Sequence, residues 1–214
     1  MKRVKLELPR YKNFNNYSCF VTAVAMILKY YGERINQKEI FENAKVYDPE
    51  DKKRCIGCTV PSIMLALKGK GYKMTAWHNK IDDKKLSKER KKYFELEKKQ
   101  TKKAEKLGLL DDRENGKFSY IEKFLDKGIP VIAGVKSKDF YKGNPKWENS
   151  IYNKKWPDTT WHVVVIVGYT KEKYIFNDSS PFFQGSEGKD RMISKQKLQN
   201  ACKTKAIFVL EKTK

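Results

Sequence analysis

Two residues that can take part in nucleophilic catalysis lie far apart in this sequence. Cys19 begins an apolar segment with the spacing of a helix, and His162 begins an apolar strand. The backbone dipoles of a helix leave partial positive charge at its N-terminus, which stabilises a thiolate there. An imidazole within reach of the sulfur can take its proton and later give it to a leaving group. The pair predicts thiol chemistry if the fold brings the two residues together.

Asp178 is a candidate for the group that orients this histidine. It ends the apolar run that follows the His162 strand, and residues 170–173 between the runs have the length of a hairpin turn. A turn centred near residue 171 places Asp178 opposite Val164, so that Asp178 and His162 share one face of the sheet. The carboxylate can then fix the tautomer of the imidazole, as in a catalytic triad. A slip of one residue in the register would move Asp178 to the other face.

Hydrophobic spacing predicts the helices and strands that carry these residues. Apolar residues at three- and four-residue steps predict a largely buried helix over 19–31, ended by Gly32. Asn36 and Thr59 are predicted N-caps of two further helices. Helices come first and strands later, which favours an α+β arrangement of segregated layers over a doubly wound sheet. The other predicted elements are helices at 118–127 and 194–201 and strands at 72–77, 130–135, 162–169, 174–178 and 206–210.

Residues 80–117 differ in character from the rest of the chain. They contain mixed-charge runs of Lys and Glu on helix-forming residues, such as 84–92 and 97–103. Such a segment is either a solvated surface helix or a lid or docking arm. We therefore expect a single domain over residues 1–214 that carries a Lys-rich helical insertion at about 80–117.

The net charge of the chain is +21, from 47 Lys and Arg against 26 Asp and Glu. This charge favours acidic partners, such as nucleic acid, an anionic membrane or an acidic protein. Precise phosphate readout usually employs arginine, however, and only seven of the basic residues are Arg. We therefore do not favour a dedicated nucleic-acid role, although it stays open as an alternative. The absence of a long apolar run predicts no membrane span, and the N-terminus resembles no secretory signal, which favours the cytoplasm.

Cys55 and Cys58 form a C-x-x-C pair, a spacing that can hold zinc or a labile disulfide. Zinc would need two more ligands, and the sequence has no second such pair. Only His78, Cys202, His162 or carboxylates could complete a site. We favour two reduced cysteines in a loop that leads into a helix, with the disulfide and the metal as alternatives, and we expect no cofactor.

A set of motifs in a fixed order resembles the papain-like peptidases that cut bacteriocin leaders after a double glycine, together with their stand-alone relatives. The likeness covers most of residues 11–211, apart from the basic segment and the stretch 140–160. The matching motifs are Ser18-Cys19 with its helix, Gly57-Cys58-Thr59, Gly128-Ile129-Pro130-Val131-Ile132, Trp161-His162 with its strand, Asn177-Asp178 and Ile193-Ser194.

This resemblance implies roles for individual residues. Cys19 would be the nucleophile, His162 the base and later the acid, and Asp178 the orienting group. The family carries a glutamine about six residues before the cysteine, and its amide helps to stabilise the oxyanion. This chain has Asn13 there, one methylene shorter, and Phe20 stands where the family often has glycine after the cysteine.

Other groups could supply the oxyanion donor in place of Asn13. Asn15 or Asn16 could substitute for it, or the backbone amide of Cys19 could act alone. Aromatic residues that flank His162 and Asp178 either wall a substrate groove or pack as ordinary core and loop residues. These aromatics are Tyr141, Trp147, Tyr152, Trp156, Trp161, Phe182 and Phe183.

The sequence thus predicts a cysteine peptidase that forms an acyl-enzyme through Cys19 and acts on a peptide or protein substrate, with acidic substrates favoured by the charge. One alternative is a catalytically silent relative that binds a peptide or an acidic partner in the same groove. Another is a basic nucleic-acid-associated protein with residues 80–117 as its contact surface.

Overall fold

A mostly antiparallel sheet, with helices packed against it, gives the chain the mixed α+β fold that the order of elements predicts. The computed structural model describes residues 3–48, 50–51, 53, 55–79, 88–150, 153–154, 161–180, 182, 187–202 and 206–213. The helices are α1 (Cys19–Tyr30), α2 (Gln37–Ala44), α3 (Val60–Ala66), α4 (Lys88–Lys106), α5 (Ser119–Leu125), α6 (Ser137–Phe140), α7 (Pro145–Glu148) and α8 (Lys195–Ala201). The strands are β1 (Val4–Lys5), β2 (Lys45–Tyr47), β3 (Cys55–Cys58), β4 (Tyr72–His78), β5 (Leu110–Glu114), β6 (Val131–Lys136), β7 (Trp161–Tyr169), β8 (Lys173–Asp178), β9 (Arg191–Ser194) and β10 (Ile207–Lys212).

Helix α1 is central, as its apolar sequence predicts. Every residue from Val21 to Leu28 is buried, and the helix packs against β7 and α2. Gly32 takes a positive φ of 90° just past the last turn, which is the usual way for glycine to end a helix. Cys19, the first residue of α1, is therefore attached to a rigid element.

The main sheet has the strand order β5-β4-β10-β6-β7-β8-β9, and β1 also pairs with β7. Its neighbours pair antiparallel, except that β4 and β5 run parallel. Strand β7 is buried from His162 to Tyr169, in agreement with a run that is apolar on both faces. The strand that carries His162 is thus held by neighbours on both sides.

A β-bulge sets the register that matters for the site. Tyr169 pairs with Tyr174 next to the turn, and continuing that register would place Asp178 opposite Val165. The pairing shifts between Ile166 and Gly168, so that Asp178 lies opposite Val164, as predicted. The bulge therefore returns Asp178 to the face that carries His162.

The N-terminal segment is fastened to the end of this hairpin. The side-chain amide of Asn177 donates to the carbonyl oxygens of Leu8 and Pro9, at 3.3 Å each. Further on, the backbone N–H of Asn13 donates to the Ser179 carbonyl at 2.8 Å. Residues 8–13 are thus positioned by the end of β8 and the loop that follows it.

Residues 88–114 of the predicted insertion are docked on the rest of the fold. Ala104 on α4 is fully buried, and β5 joins the main sheet through β4. The Tyr93 hydroxyl donates to Asp48 at 2.8 Å, and Thr59 donates to Gln100 at 2.9 Å. Residues 80–87 lie outside the described residues, and the single domain with an insertion stays a prediction.

The predicted caps are confirmed. Asn36 accepts from the N–H of Glu39 at 2.9 Å, and Thr59 forms a capping box with Ser62. Cys55 and Cys58 were expected in a loop, but they lie at the ends of β3, because β2 supplies backbone partners for this segment. No helix in the described part of the chain combines the length and the apolar character needed to cross a membrane.

Candidate active site

Cys19 follows a tight turn that begins α1. The hydroxyl of the buried Ser18 accepts the N–H groups of Phe14 and Asn15, at 3.2 Å each, and donates to the Asn15 carbonyl at 3.0 Å. The Ser18 hydroxyl makes no capping bond to a backbone N–H of α1. The partial positive charge at the start of α1 is therefore left to act on groups near Cys19.

His162 and Asp178 form a buried ion pair on adjacent strands. The Nε2 atom of His162 lies 2.8 Å from Oδ1 of Asp178, and the two residues are only 8% and 0% exposed. Since Nε2 is held by the carboxylate, Nδ1 is the ring nitrogen left for the sulfur of Cys19. The sulfur is near enough to the ring to influence its protonation.

The electrostatics of the pair favour a protonated imidazole. Burial alone would lower the pKa of His162, but the charge and hydrogen bond of Asp178 raise it to about 10, with a smaller contribution from Cys19. Burial likewise works to raise the pKa of Asp178, yet His162, the Ser180 N–H and the Tyr141 hydroxyl hold it below its usual range. An imidazolium beside a carboxylate is the stable arrangement at neutral pH.

The backbone around Asp178 is held by an arginine from the N-terminal segment. Arg10 donates from Nε to the Asp178 carbonyl at 3.0 Å and from a terminal nitrogen to the Ser180 carbonyl at 3.2 Å. Gly188 crosses close to the same carbonyl, and a Cβ there would lie 2.4 Å from the Asp178 oxygen. The Asp178 N–H donates to the Gly188 carbonyl at 2.7 Å. These bonds fix the main chain of Asp178 and thereby the position of its carboxylate.

A small cavity of about 90 Å³ contains the predicted site residues Cys19, His162 and Asn13 in its lining. Asp178 lies behind His162 and is fully buried. Aromatic rings form much of the remaining wall, so the aromatic stretch around His162 lines a cavity. These rings belong to Tyr141, Trp147, Trp161 and Phe182, whereas Tyr152, Trp156 and Phe183 lie outside the described residues.

Asn13 reaches the cavity from the N-terminal segment, and Asn15 and Asn16 line it as well. Its backbone is fixed by the Ser179 carbonyl. Its Oδ1 atom is buried without a hydrogen-bond partner among the described residues. The position of the Asn13 side chain therefore depends on its anchored backbone, and no hydrogen bond to its own oxygen holds it among the described residues.

Tyr141 is a site residue whose contact the sequence analysis did not predict. Its hydroxyl donates to Oδ2 of Asp178 at 2.8 Å. It follows α6, an element of four residues without a clear sequence signal. The only available sign was its place among the aromatic residues before His162.

The remaining cysteines give no sign of a metal centre. All four cysteines are free thiols, and the described residues contain no group of three or more potential metal ligands. Burial raises the pKa of Cys58 to about 12, with smaller contributions from nearby thiols. Cys58 is therefore an unreactive thiol at neutral pH.

Comparison with known proteins identifies the family. A model described as "Peptidase_C39 like family" matches residues 5–202. A candidate C39-like peptidase from Bacillus anthracis has a similar structure, with a TM-score of 0.59 and 15% identity over 100% of both chains. A search of curated proteins finds no match.

Two peptidase domains of transporters are also similar in structure. A double glycine motif protease from an AMS/PCAT transporter, solved with its leader peptide, has a TM-score of 0.50 and 13% identity over 98% of this chain and 95% of that one. The peptidase domain of Streptococcus ComA, a bi-functional ABC transporter of a quorum sensing pathway, has a TM-score of 0.50 and 15% identity over 99% of each chain. At these identities the likeness is one of fold.

Proposed function

Since the chain belongs to the C39-like family of papain-like cysteine peptidases, we propose that it hydrolyses peptide bonds through a triad of Cys19, His162 and Asp178. The observation that carries the proposal is the buried contact of 2.8 Å between His162 and Asp178, with Cys19 and His162 lining one cavity. A buried imidazolium held by a carboxylate next to a thiol is an arrangement suited to nucleophilic catalysis.

In the first half of the reaction, the sulfur of Cys19 attacks the carbonyl carbon of the scissile bond. A C–S bond forms and the carbonyl oxygen becomes an oxyanion. As this intermediate collapses, the C–N bond breaks and the His162 imidazolium gives its proton to the departing amine. The raised pKa of His162 means that this proton is available at neutral pH.

In the second half, water replaces the amine in the cavity. The imidazole, now neutral, takes a proton from the water as it attacks the thioester carbonyl. The C–S bond breaks, a carboxylic acid is released, and the thiolate and imidazolium form again. Asp178 keeps the ring in one orientation through both halves.

The oxyanion needs hydrogen-bond donors, and two are at hand. The side-chain amide of Asn13 and the backbone N–H of Cys19 are the proposed pair. Asn13 stands where the family has a longer glutamine, but it is carried on a segment tied to the Ser179 carbonyl. This attachment supports the view that the shorter amide is placed for the same purpose.

The cavity beside Cys19 is small, about 90 Å³, and its walls include Trp147 and Phe182. This favours small residues next to the scissile bond. One structural neighbour is described as a double glycine motif protease in complex with a leader peptide. We propose a peptide or protein substrate with small residues at the cleavage site.

A peptide-cleavage assay tests this function. The wild-type protein, incubated with a library of peptides that contain Gly-Gly or Ala-Gly steps, should generate new termini detectable by mass spectrometry. Cys19→Ala, which removes the nucleophile, should generate none. Cleavage by both proteins, or by neither across the library, would contradict a Cys19-dependent peptidase.

A second candidate is a silent peptide-binding relative, favoured by Asn13, which stands where the family has glutamine, and by Phe20 after the cysteine. In that case the library peptides would bind without being cut. Tight binding to wild type with unchanged peptides after long incubation would favour this reading.

A further inference from the structure

Tyr141 contacts the proposed triad but has no role in the chemistry described above. It lies directly after α6, is 4% exposed, and points its hydroxyl at the carboxylate of Asp178 with a donor–acceptor distance of 2.8 Å. Because burial raises the pKa of Tyr141 well above its usual value, the phenol keeps its proton and remains a donor. A phenol that stays protonated thus faces a carboxyl group that stays ionised.

The two oxygens of Asp178 have separate partners. Oδ1 accepts from His162 and from the Ser180 N–H, at 2.8 Å each. Oδ2 accepts from Tyr141, which is the one donor to that oxygen in the described part of the chain. A carboxylate held at both ends cannot rotate about its Cβ–Cγ bond, so Oδ1 stays directed at the imidazole.

The ring of Tyr141 also borders the pair. Its centroid lies 5.9 Å from that of His162, and it packs against Trp147 and Phe182 at 5.5 and 5.6 Å. These contacts fix the position of the hydroxyl independently of Asp178. They also exclude water from the carboxylate, which strengthens its interaction with the imidazolium.

We propose that Tyr141 is a positioning residue of the triad, whose hydroxyl locks Asp178 so that Asp178 in turn holds His162 toward Cys19. The inference rests on the proposed function. The Tyr141 hydroxyl acts on the reaction through Asp178, while its ring forms part of the cavity wall.

Alkylation of Cys19 by iodoacetamide, quantified on the Cys19 peptide by mass spectrometry, tests the inference without knowledge of the substrate. Tyr141→Phe keeps the ring and removes only the donor. At about pH 6 it should slow alkylation of Cys19 by up to about tenfold, the equivalent of one net hydrogen bond. In an Asp178→Ala background, where the hydroxyl has no carboxylate to hold, Tyr141→Phe should have no further effect.

Tyr169→Phe is a matched control, because the Tyr169 hydroxyl also donates to a carboxylate, that of Asp126, at 2.7 Å. It should leave the alkylation rate unchanged in both backgrounds. Equal rates for Tyr141→Phe and wild type would overturn the inference, as would an undiminished effect of Tyr141→Phe in the Asp178→Ala background. A purely structural role predicts the latter result.

The inference and the proposed function fail in distinguishable ways. If His162→Ala alkylates at the wild-type rate, the triad itself is refuted. If His162→Ala is slow and Tyr141→Phe is not, only the role of Tyr141 is refuted. Proton NMR of the wild type covers the case in which Tyr141→Phe does not fold: the Tyr141 hydroxyl proton should exchange slowly with water, and rapid exchange would overturn the inference.

Discussion

The imidazole of His162 keeps its proton at neutral pH because a fully buried carboxylate accepts from its Nε2 atom. Desolvation would favour the neutral ring, but the charge and hydrogen bond of Asp178, at 2.8 Å, together with Cys19 outweigh it. The chemistry of the site therefore depends on one residue that never meets the substrate.

Asp178→Asn should move the rise of Cys19 alkylation with pH to higher pH, because without the imidazolium the thiolate beside it is less stabilised. The wild-type imidazolium persists until the pH approaches about 10, since Asp178 raises the pKa of His162 to that value. The neutral amide removes the charge that stabilises the imidazolium, so His162 should lose its proton nearer its ordinary value of about 6.5. Rates measured from about pH 5 to 10 check this. An unshifted profile would mean that Asp178 does not set the protonation of His162.

Asn13→Ala should impair acylation but not alkylation. Acylation of Cys19 by p-nitrophenyl acetate passes through an oxyanion, and loss of one donor should slow it roughly a hundredfold. Alkylation by iodoacetamide forms no oxyanion and should be unaffected. Asn13→Gln, which restores the family's side chain, should retain acylation. Normal acylation in Asn13→Ala would assign the oxyanion to other donors.

The hairpin of β7 and β8 brings the site together, and its bulge decides on which face Asp178 lies. The spacing of residues 162–178 predicted the correct pairing of Asp178 with Val164, but not the bulge that produces it. A bulge has no pattern in the hydrophobic sequence, because it depends on how the strands twist against their neighbours.

Other elements were beyond the reach of the sequence for similar reasons. Helix α1 and strands β6, β7 and β10 were predicted because they carry long apolar runs. Strand β5 reads Leu-Asp-Asp-Arg-Glu and is a strand only because the edge of β4 offers it backbone partners. Strand β1 has two residues and depends on β7 in the same way. Tyr141 reaches Asp178 through tertiary packing, which no local pattern encodes.

Gly168→Ala should detach the N-terminal strand. A Cβ at Gly168 would lie 2.2 Å from the Val4 carbonyl oxygen and 2.9 Å from the Lys5 Cα, and backbone atoms cannot move aside without breaking the β1 pairing. We expect a loss of about 1–3 kcal/mol in the free energy of unfolding, measured in urea. In a chain shortened by residues 1–5 the substitution should cost little. An equal cost there would locate the strain elsewhere.

At the scale of the whole molecule, the chain shares a fold over its full length with peptidases that are 13–15% identical to it. In this chain the fold places Cys19 at the start of a helix, His162 on a strand and Asp178 at the end of a hairpin. The net charge of +21 is a property of the surface, and it permits binding to many anions.

Nucleic-acid binding should therefore be weak and sensitive to salt. If only bulk charge is involved, binding to duplex DNA or to RNA, measured by fluorescence anisotropy, should vanish above about 0.15 M salt. A basic protein of similar net charge and unrelated fold serves as the control. Binding that persists above that concentration and depends on residues 88–106 would indicate a dedicated nucleic-acid surface.

If His162 activates Cys19, the chain offers its own control, since His78 is the only other histidine. The measurement is the rate of Cys19 alkylation by iodoacetamide against pH in wild type, His162→Ala and His78→Ala. We predict that His162→Ala slows the reaction about a hundredfold near pH 6 and that His78→Ala leaves it unchanged. Identical profiles for wild type and His162→Ala would mean that His162 does not activate Cys19.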